Sequence, residues 1–181
     1  MLLIRKEVAH LMSSFLSFLQ WLQATPFSTG IRESTWWYPV IESVHVLSLC
    51  LFLGIALFWD LRLLCFGLRR VPVSELASRL MPWTFVGFIF MTGSGLLLFI
   101  DEPVRFYGNI FFRMKVVALI LAGLNAWYFH YSGAGRRIID WDTSSTTPRG
   151  ARLAGAVSLF LWAVIVVCGR FIAYNWFKPL V

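Results

Sequence analysis

The sequence predicts an all-α integral membrane protein: a four-transmembrane-helix bundle with an N-terminal interfacial amphipathic helix. The chain is 59% hydrophobic, with a mean hydropathy of +0.72, whereas soluble domains are usually about 45–50% apolar. Four apolar segments are each long enough to cross a hydrocarbon core of roughly 30 Å at about 1.5 Å per residue. These predicted spans cover about 37–63, 78–100, 109–130 and 153–176.

Residues 1–34 are expected to form an N-terminal tail and the interfacial helix, and residues 35–181 the transmembrane domain. Residues 8–23 alternate a polar stripe with an apolar face at helical spacing, but the apolar run is too short to span a bilayer. Thr25-Pro26 should end this helix, with a loop over residues 28–34. A cleaved signal peptide is the alternative, which the interrupting serines and glutamine disfavour.

The first span carries two ionisable residues, Glu42 and His45, inside an apolar run. At 100° per residue they share one helix face with Tyr38 and Asp60. Charged side chains are costly in lipid and normally face the interior of a bundle. We therefore expect this face to point inward. The alternative is that Glu42 and His45 lie near enough to the outer interface to be hydrated.

The second span contains residues that act on helix geometry. Ser74 is expected to cap the helix at its start, and Pro82 should kink it. Gly87, Gly93 and Gly95 should allow close backbone approach by a neighbouring helix.

The third span has a row of small residues at a spacing of four, Ala118, Ala122 and Ala126, which predicts a helix-packing face. Asn125 falls near the middle of the membrane and should hydrogen-bond between helices.

Basic residues predict the orientation. The loops after the first and third spans, with their flanks, carry more Lys and Arg than the opposite side, which places those loops in the cytoplasm and both termini outside it. The net charge of +7 is accounted for by this retention and by anionic lipid, so no nucleic-acid partner is expected.

Helix depth gathers a polar set in the outer third of the bundle, capped by two tyrosines. This candidate ligand-binding set comprises Glu42, His45, Lys115, Arg170, Tyr38 and Tyr174. Two basic groups beside a histidine and tyrosines suit an anionic or carbonyl-bearing ligand, such as haem propionates, a quinone head group or a small carboxylate. The structural alternative is an internal salt-bridge network that pairs Glu42 with Arg170 or Lys115.

Metal binding has weaker support. Glu42 and His45 stand at i, i+3, a spacing that ligates metal in helical bundles, and Met91 is a further candidate for haem beside His45. The nearby Lys115 and Arg170 would repel a cation. A single haem bridged by His45 and His130 is disfavoured, because the predicted depths of the two histidines differ by most of the membrane.

An inner polar set consists of Asp60, Arg62, Arg79 and His130, for which interfacial charge pairing is expected. A transporter would need a polar path from His45 to Asp60. Apolar residues fill that interval, which disfavours a continuous path. The serines form no nucleophile motif and no glycine-rich phosphate loop occurs, so an enzyme is not indicated.

Several segments resemble an uncharacterised family of small bacterial four-span inner-membrane proteins. They are the run over residues 24–64, LMPWTFVGF, FRMKVVALILAGLNAWYFH and the closing GRFIAYNW. The resemblance implies a four-helix fold in the bacterial inner membrane and no particular activity. Residues 1–11 look additional to this pattern. A weaker likeness to copper-resistance membrane proteins and b-type cytochromes is limited to short histidine-bearing helices.

These observations favour a small ligand or redox cofactor bound in the outer half of the bundle, within a larger membrane system. The alternatives are a small-solute or ion transporter and a structural subunit. The expected partners are the lipid bilayer and a small-molecule ligand, with another membrane protein or a second copy of the chain as further candidates.

Overall fold

The computed structural model describes residues 2–66, 71–131, 135, 137–142 and 147–174. Within these ranges the chain forms α-helices and no strand. The helices are α1 (Leu2–Gln23), α2 (Pro26–Glu33), α3 (Trp37–Leu63), α4 (Val73–Asp101), α5 (Pro103–Gly108), α6 (Ile110–Tyr131), α7 (Ile138–Trp141) and α8 (Arg149–Tyr174).

Four of these helices, α3, α4, α6 and α8, are long and apolar enough to cross a membrane. The predicted all-α, four-helix membrane fold is therefore confirmed, and the protein is a multi-pass membrane protein. Large apolar side chains point away from the bundle, including Leu47 at 71% and Ile89 at 65% exposure. Such a surface is stable only against lipid.

The four long helices run alternately up and down, and they do not pack equally. Helix α3 packs most closely on α4, α6 packs on α8, and α3 also contacts α8. Gly87 permits the α3–α4 contact, since a Cβ there would lie 3.1 Å from backbone N of Phe52. Gly93, expected to do the same, faces open space, so that expectation was wrong. Helices α4 and α6 lack such close packing, which leaves a gap between them.

The α6–α8 contact uses the predicted row of small residues in part. Ala118 and Ala122 are buried against Leu161 and Ile165, whereas Ala126 is exposed. Asn125 donates from Nδ2 to the carbonyl of Ala154 at 2.9 Å, which confirms the predicted hydrogen bond between helices.

We name the two ends of the bundle by residues of α3. The Tyr38 end, predicted to be outer, holds the start of α3 and the end of α8. The Asp60 end holds the end of α3 and the start of α8. An apolar cluster closes the Asp60 end; it consists of Leu63, Val73, Phe129, Trp141, Ala151 and Ala154, with Trp59 and Ile138 packed on it.

The segment predicted as a loop after α1 is the helix α2, so that prediction was wrong. The Thr25 hydroxyl caps α2 by accepting from the Ser28 amide at 3.3 Å, and Pro26 occupies the first turn. The buried Ser28 hydroxyl donates to the Ile100 carbonyl at 2.8 Å. Arg32 donates to the Asp101 carbonyl at 2.9 Å. These bonds fix α2 on the last turn of α4.

The start of α4 also differs from prediction. The helix begins at Val73, within two residues of the start that a Ser74 cap predicts, but Ser74 lies inside the helix and does not cap it. Instead Asp142, beyond α7, accepts from the Ser74 amide at 2.8 Å and from the Ser74 hydroxyl. The cap therefore comes from a residue 68 positions away, which a local sequence pattern cannot reveal.

Candidate functional site

A cavity of about 1040 Å³ lies between the four long helices. Its lining extends along α3 from Tyr38 to Asp60 and includes residues of both α4 and α6. Most of the lining is apolar, and polar side chains occur mainly at the two ends. The polar lining residues are Tyr38, Glu42, His45, Arg105, Lys115 and Arg170 at the Tyr38 end, Asp60, Asn125, His130 and Ser158 at the Asp60 end, and Thr84 and Thr92 along α4.

His45 is held against α4 through one ring nitrogen. Its Nδ1 lies 3.0 Å from the Met91 carbonyl oxygen and 3.1 Å from the Ser94 hydroxyl. A carbonyl oxygen can only accept a hydrogen bond, so Nδ1 carries the proton. In the neutral ring Nε2 then has a free electron pair. The fold thus orients a histidine that can accept a hydrogen bond from a ligand or bind a metal.

Lys115 lines the same end of the cavity from α6. The side chain is partly buried, and no described residue gives it an ion pair or a hydrogen bond. Gly169 on α8 lies beside it, since a Cβ there would be 3.5 Å from the Lys115 Nζ, an ordinary van der Waals contact. Lys115 and Glu42 are both within electrostatic range of the His45 ring. The result is an ammonium group that faces a largely apolar cavity and has no partner within the described part of the chain.

The other members of the predicted outer set are arranged differently from a salt-bridge network. Arg170 donates from Nη2 to the Tyr174 hydroxyl at 2.9 Å and lies 5.0 Å from the centre of that ring. Glu42 is exposed, lines the cavity, and forms no ion pair with Arg170 or Lys115. The network considered as an alternative is therefore not formed, because α8 turns the guanidinium toward its own next turn.

The metal candidates do not come together as a ligand set. Met91 is buried and meets His45 through its backbone carbonyl. Among the described residues, no three His, Cys, Asp or Glu side chains are grouped to hold a metal ion. His45 and His130 line opposite ends of the cavity.

The inner polar set shows little of the expected charge pairing. Arg79 pairs with Glu75 at 2.7 Å on the surface, and the His130 Nδ1 bonds to the carbonyl of Ala126 in its own helix at 2.8 Å. The buried Arg62 donates from Nε to the Val71 carbonyl at 3.0 Å. Asp60 is 4% exposed, and its Oδ2 has no hydrogen-bond partner. Asp60 is therefore buried without an ion pair to Arg62, Arg79 or His130.

The cavity continues past the apolar residues that the sequence placed between His45 and Asp60. Leu49, Phe52 and Ala56 form part of its wall rather than filling it. Because these side chains are apolar, the described part of α3 offers no chain of polar groups along this path. The α3 wall of the cavity is therefore mainly apolar between His45 and Asp60.

Ser94 and Gly95 are site residues that the sequence did not assign to this role. The Ser94 hydroxyl accepts a hydrogen bond from Nδ1 of His45, which Nδ1 also gives to Met91. The same hydroxyl donates to the Phe90 carbonyl. Gly95 makes room for the ring, since a Cβ there would lie 3.1 Å from Cε1 of His45. The predicted close approach at Gly95 is therefore made by a side chain. A glycine–serine–glycine run inside a span was the available signal.

No curated protein and no solved structure matches the chain. A family model does match, and it covers residues 18–175. This range contains all four membrane-spanning helices and every residue of the cavity. The chain therefore belongs to DUF6644, a family of unknown function.

Proposed function

We propose that this protein binds an amphipathic, quinone-type molecule, with its polar head at the Tyr38 end and its apolar body along the cavity. The observation that carries the proposal is the pairing of two ligand-ready groups in one cavity. These are the His45 Nε2, freed by the bond from Nδ1 to Met91, and the unpaired ammonium of Lys115.

The shape of the cavity supports an elongated ligand. From Tyr38 to Asp60 the α3 wall rises through about 33 Å at 1.5 Å per residue, which is close to the thickness of a bilayer core. A small anion would occupy only the polar end and leave the apolar length empty. A molecule with one polar head and an apolar tail satisfies both parts of the wall.

The chemistry of the two groups supports the head group. An ammonium donates hydrogen bonds to a carbonyl oxygen, and a neutral imidazole nitrogen accepts one from a hydroxyl. A quinone presents carbonyls and a quinol presents hydroxyls, so the pair can bind either form. The Lys115 charge would be stabilised by such a partner, because an unpaired charge is costly at this depth.

The gap between α4 and α6 supports access from the bilayer. Both helices line the cavity, but they pack less closely than the other neighbours in the bundle. Phe99 of α4 and Phe112 of α6 stack across this side at the Tyr38 end, with ring centres 5.4 Å apart. A ligand dissolved in lipid could enter between α4 and α6, on the Asp60 side of this aromatic pair, without crossing water.

Haem is the second candidate, and the hydrogen bond of His45 is the observation that favours it. Histidines that bind metals usually donate their other ring proton to a backbone carbonyl or carboxylate, as Nδ1 does here toward Met91. Lys115 would then meet a propionate. The described residues supply no second histidine at this depth, so His45 would be the single imidazole ligand.

The test is a visible absorption spectrum of gently purified protein, followed by mass analysis of its organic extract. We expect no haem band and a prenylated quinone in near-stoichiometric amount. The amount of quinone should be smaller in His45→Ala and unchanged in Ser43→Ala. Ser43 lies on the same helix, is exposed, and bonds only to the Pro39 carbonyl. A Soret band lost in His45→Ala would select haem. An extract containing only bulk phospholipid, with no absorption band, would contradict both candidates.

A further inference from the structure

The Asp60 end of the cavity holds a second polar site that the proposed ligand head does not use. Asp60 is 4% exposed, lines the cavity, and has an Oδ2 with no hydrogen-bond partner. Fifteen residues separate it from His45 along α3, which corresponds to about 22 Å. The two sites therefore bind separate chemical groups.

None of the described residues supplies a cation to this carboxyl group. On the same helix, Arg62 turns away and donates to the Val71 carbonyl. On α6, His130 faces this end of the cavity but makes no ion pair with Asp60. The residues that line this end from α4, Ala77, Leu80 and Met81, and those from α8, Ala154 and Ser158, cannot ionise.

Two uncharged polar side chains, Ser158 and Asn125, line this end of the cavity with Asp60. The Ser158 hydroxyl on α8 is placed to hydrogen-bond with the Asp60 carboxyl group. Asn125 donates its Nδ2 to the Ala154 carbonyl at 2.9 Å, which leaves its Oδ1 as an acceptor. In α8 the Ala154 carbonyl points along the helix toward Ser158, one turn or about 5–6 Å further on, so Asn125 bonds to the turn of α8 that ends at Ser158. Gly155 lets α8 approach, since a Cβ there would lie 3.2 Å from the Asp60 carbonyl oxygen.

An ionised carboxylate without a partner is not stable in a buried, low-dielectric position, so something must neutralise it. We propose that Asp60, Ser158 and Asn125 form a binding site for a small exchangeable monovalent cation, either Na⁺ or a proton. Carboxylate, hydroxyl and amide oxygens are the ligands that hard cations take. The site is independent of the molecule bound at His45, and it makes the cavity sensitive to cations from the Asp60 end.

The experiment measures the thermal stability of the purified protein in detergent with NaCl against choline chloride at equal ionic strength. The variants are Asp60→Asn, Ser158→Ala and the control Asp140→Asn, which removes an exposed carboxylate on α7. If Na⁺ binds the folded protein, it stabilises both the wild type and the control. Their melting temperatures should then rise by about 2–4 °C. The rise disappears in Asp60→Asn and shrinks in Ser158→Ala.

If the cation is a proton, Na⁺ has no specific effect. The infrared spectrum at pH 7 then contains a carbonyl band of a protonated carboxylic acid that is missing in Asp60→Asn and present in Asp140→Asn. An Asp60 that is ionised at pH 7 in protein without any Na⁺ response overturns the proposal. Neither readout involves the ligand at His45, so failure here is distinct from failure of the quinone proposal.

Discussion

The imidazole of His45 lies directly against Gly95 of the neighbouring helix, where a Cβ atom would come within 3.1 Å of Cε1. This contact sets the position of the ring whose Nδ1 donates to the Met91 carbonyl, one turn earlier on α4. The absence of a side chain at position 95 therefore determines where the free nitrogen of His45 points.

Gly95→Ala should weaken ligand binding without weakening the fold. The added methyl group displaces the ring by a few tenths of an ångström and strains one hydrogen bond, which is worth about 0.5–1.5 kcal/mol. We expect roughly a two- to tenfold loss of affinity. In a helix, alanine is more stable than glycine by about 0.5–1 kcal/mol, so the melting temperature should not fall.

Gly93→Ala is the matched control, because a Cβ at position 93 would meet nothing within 4 Å. It should gain the same helix stability and keep wild-type affinity. Equal affinities in the two variants would show that the position of the His45 ring does not matter for binding.

Lys115→Met should stabilise the protein while weakening its ligand binding. Methionine removes an ammonium that has no partner among the described residues and keeps a similar length of side chain. On the membrane insertion scale a lysine costs about 2.5–3.5 kcal/mol at the bilayer centre and less toward the ends. We expect a gain of roughly 1–2 kcal/mol in ligand-free protein, measured by unfolding in detergent.

Arg113→Met, two residues earlier on α6, should instead destabilise the protein. Arg113 donates from Nε to the Tyr107 carbonyl at 2.9 Å, and its guanidinium lies 4.9 Å from the centre of that ring. Losing these contacts should cost about 1 kcal/mol. If both substitutions destabilise the protein equally, Lys115 makes a stabilising interaction and its ammonium is not unpaired.

Glu42 and Arg170 should behave independently. The sequence suggested a network between them, but Arg170 bonds to Tyr174 instead. In a double-mutant cycle, Glu42→Gln and Arg170→Gln should therefore add to within about 0.3–0.5 kcal/mol. Arg170→Gln and Tyr174→Phe should show a coupling energy. A large coupling between Glu42 and Arg170 would mean that the two charges meet after all.

Asp142→Ala should destabilise the start of α4 by about 1 kcal/mol, the usual cost of losing a helix cap. Slight desolvation acts to raise the pKa of Asp142, but hydrogen bonds from Ser74 and Val73, and the charge of Arg62, bring that pKa below its ordinary value. A lowered pKa in the folded state gives stability that is full above the ordinary value, about 3.9, and is lost as the pH falls through the lowered pKa.

The pH dependence supplies the check for Asp142. Between pH 5 and 7 the stability difference between wild type and Asp142→Ala should stay constant, and it should shrink below about pH 4. Asp140→Ala, at an exposed position of α7, should show no comparable difference. A constant difference down to the lowest pH would mean that the charged carboxylate is not the cap.

Hydropathy and helical phase were sufficient to predict the membrane helices and the set of polar residues on α3. The length of an apolar run is local information, and the ionisable face from Glu42 to Asp60 repeats at the helix period. The prediction that Asn125 hydrogen-bonds between helices followed from the rarity of amides at mid-membrane depth, although its partner, Ala154, was not predicted. Each of these inferences uses the sequence of a single helix and does not depend on how that helix packs.

Inferences that depend on how two helices rotate against each other failed. Depth placed Arg170 level with Glu42, but rotation of α8 directs its guanidinium toward Tyr174. Asp60 is likewise buried without an ion pair, and the neighbouring Arg62 donates to the Val71 carbonyl instead. Two further contacts join residues far apart in sequence, so no local pattern predicts them. Asp142 caps α4, and the ring of His45 packs against Gly95.

The most direct test of the central claim is an equilibrium titration of the ligand-stripped protein with a short-chain quinone. Binding can be followed by quenching of the cavity tryptophans, Trp59 and Trp162. We predict saturable binding that weakens about tenfold or more in His45→Ala and in Lys115→Met, while Ser43→Ala matches the wild type. Equal affinity in all four proteins, or no saturable binding to the wild type, would contradict the account.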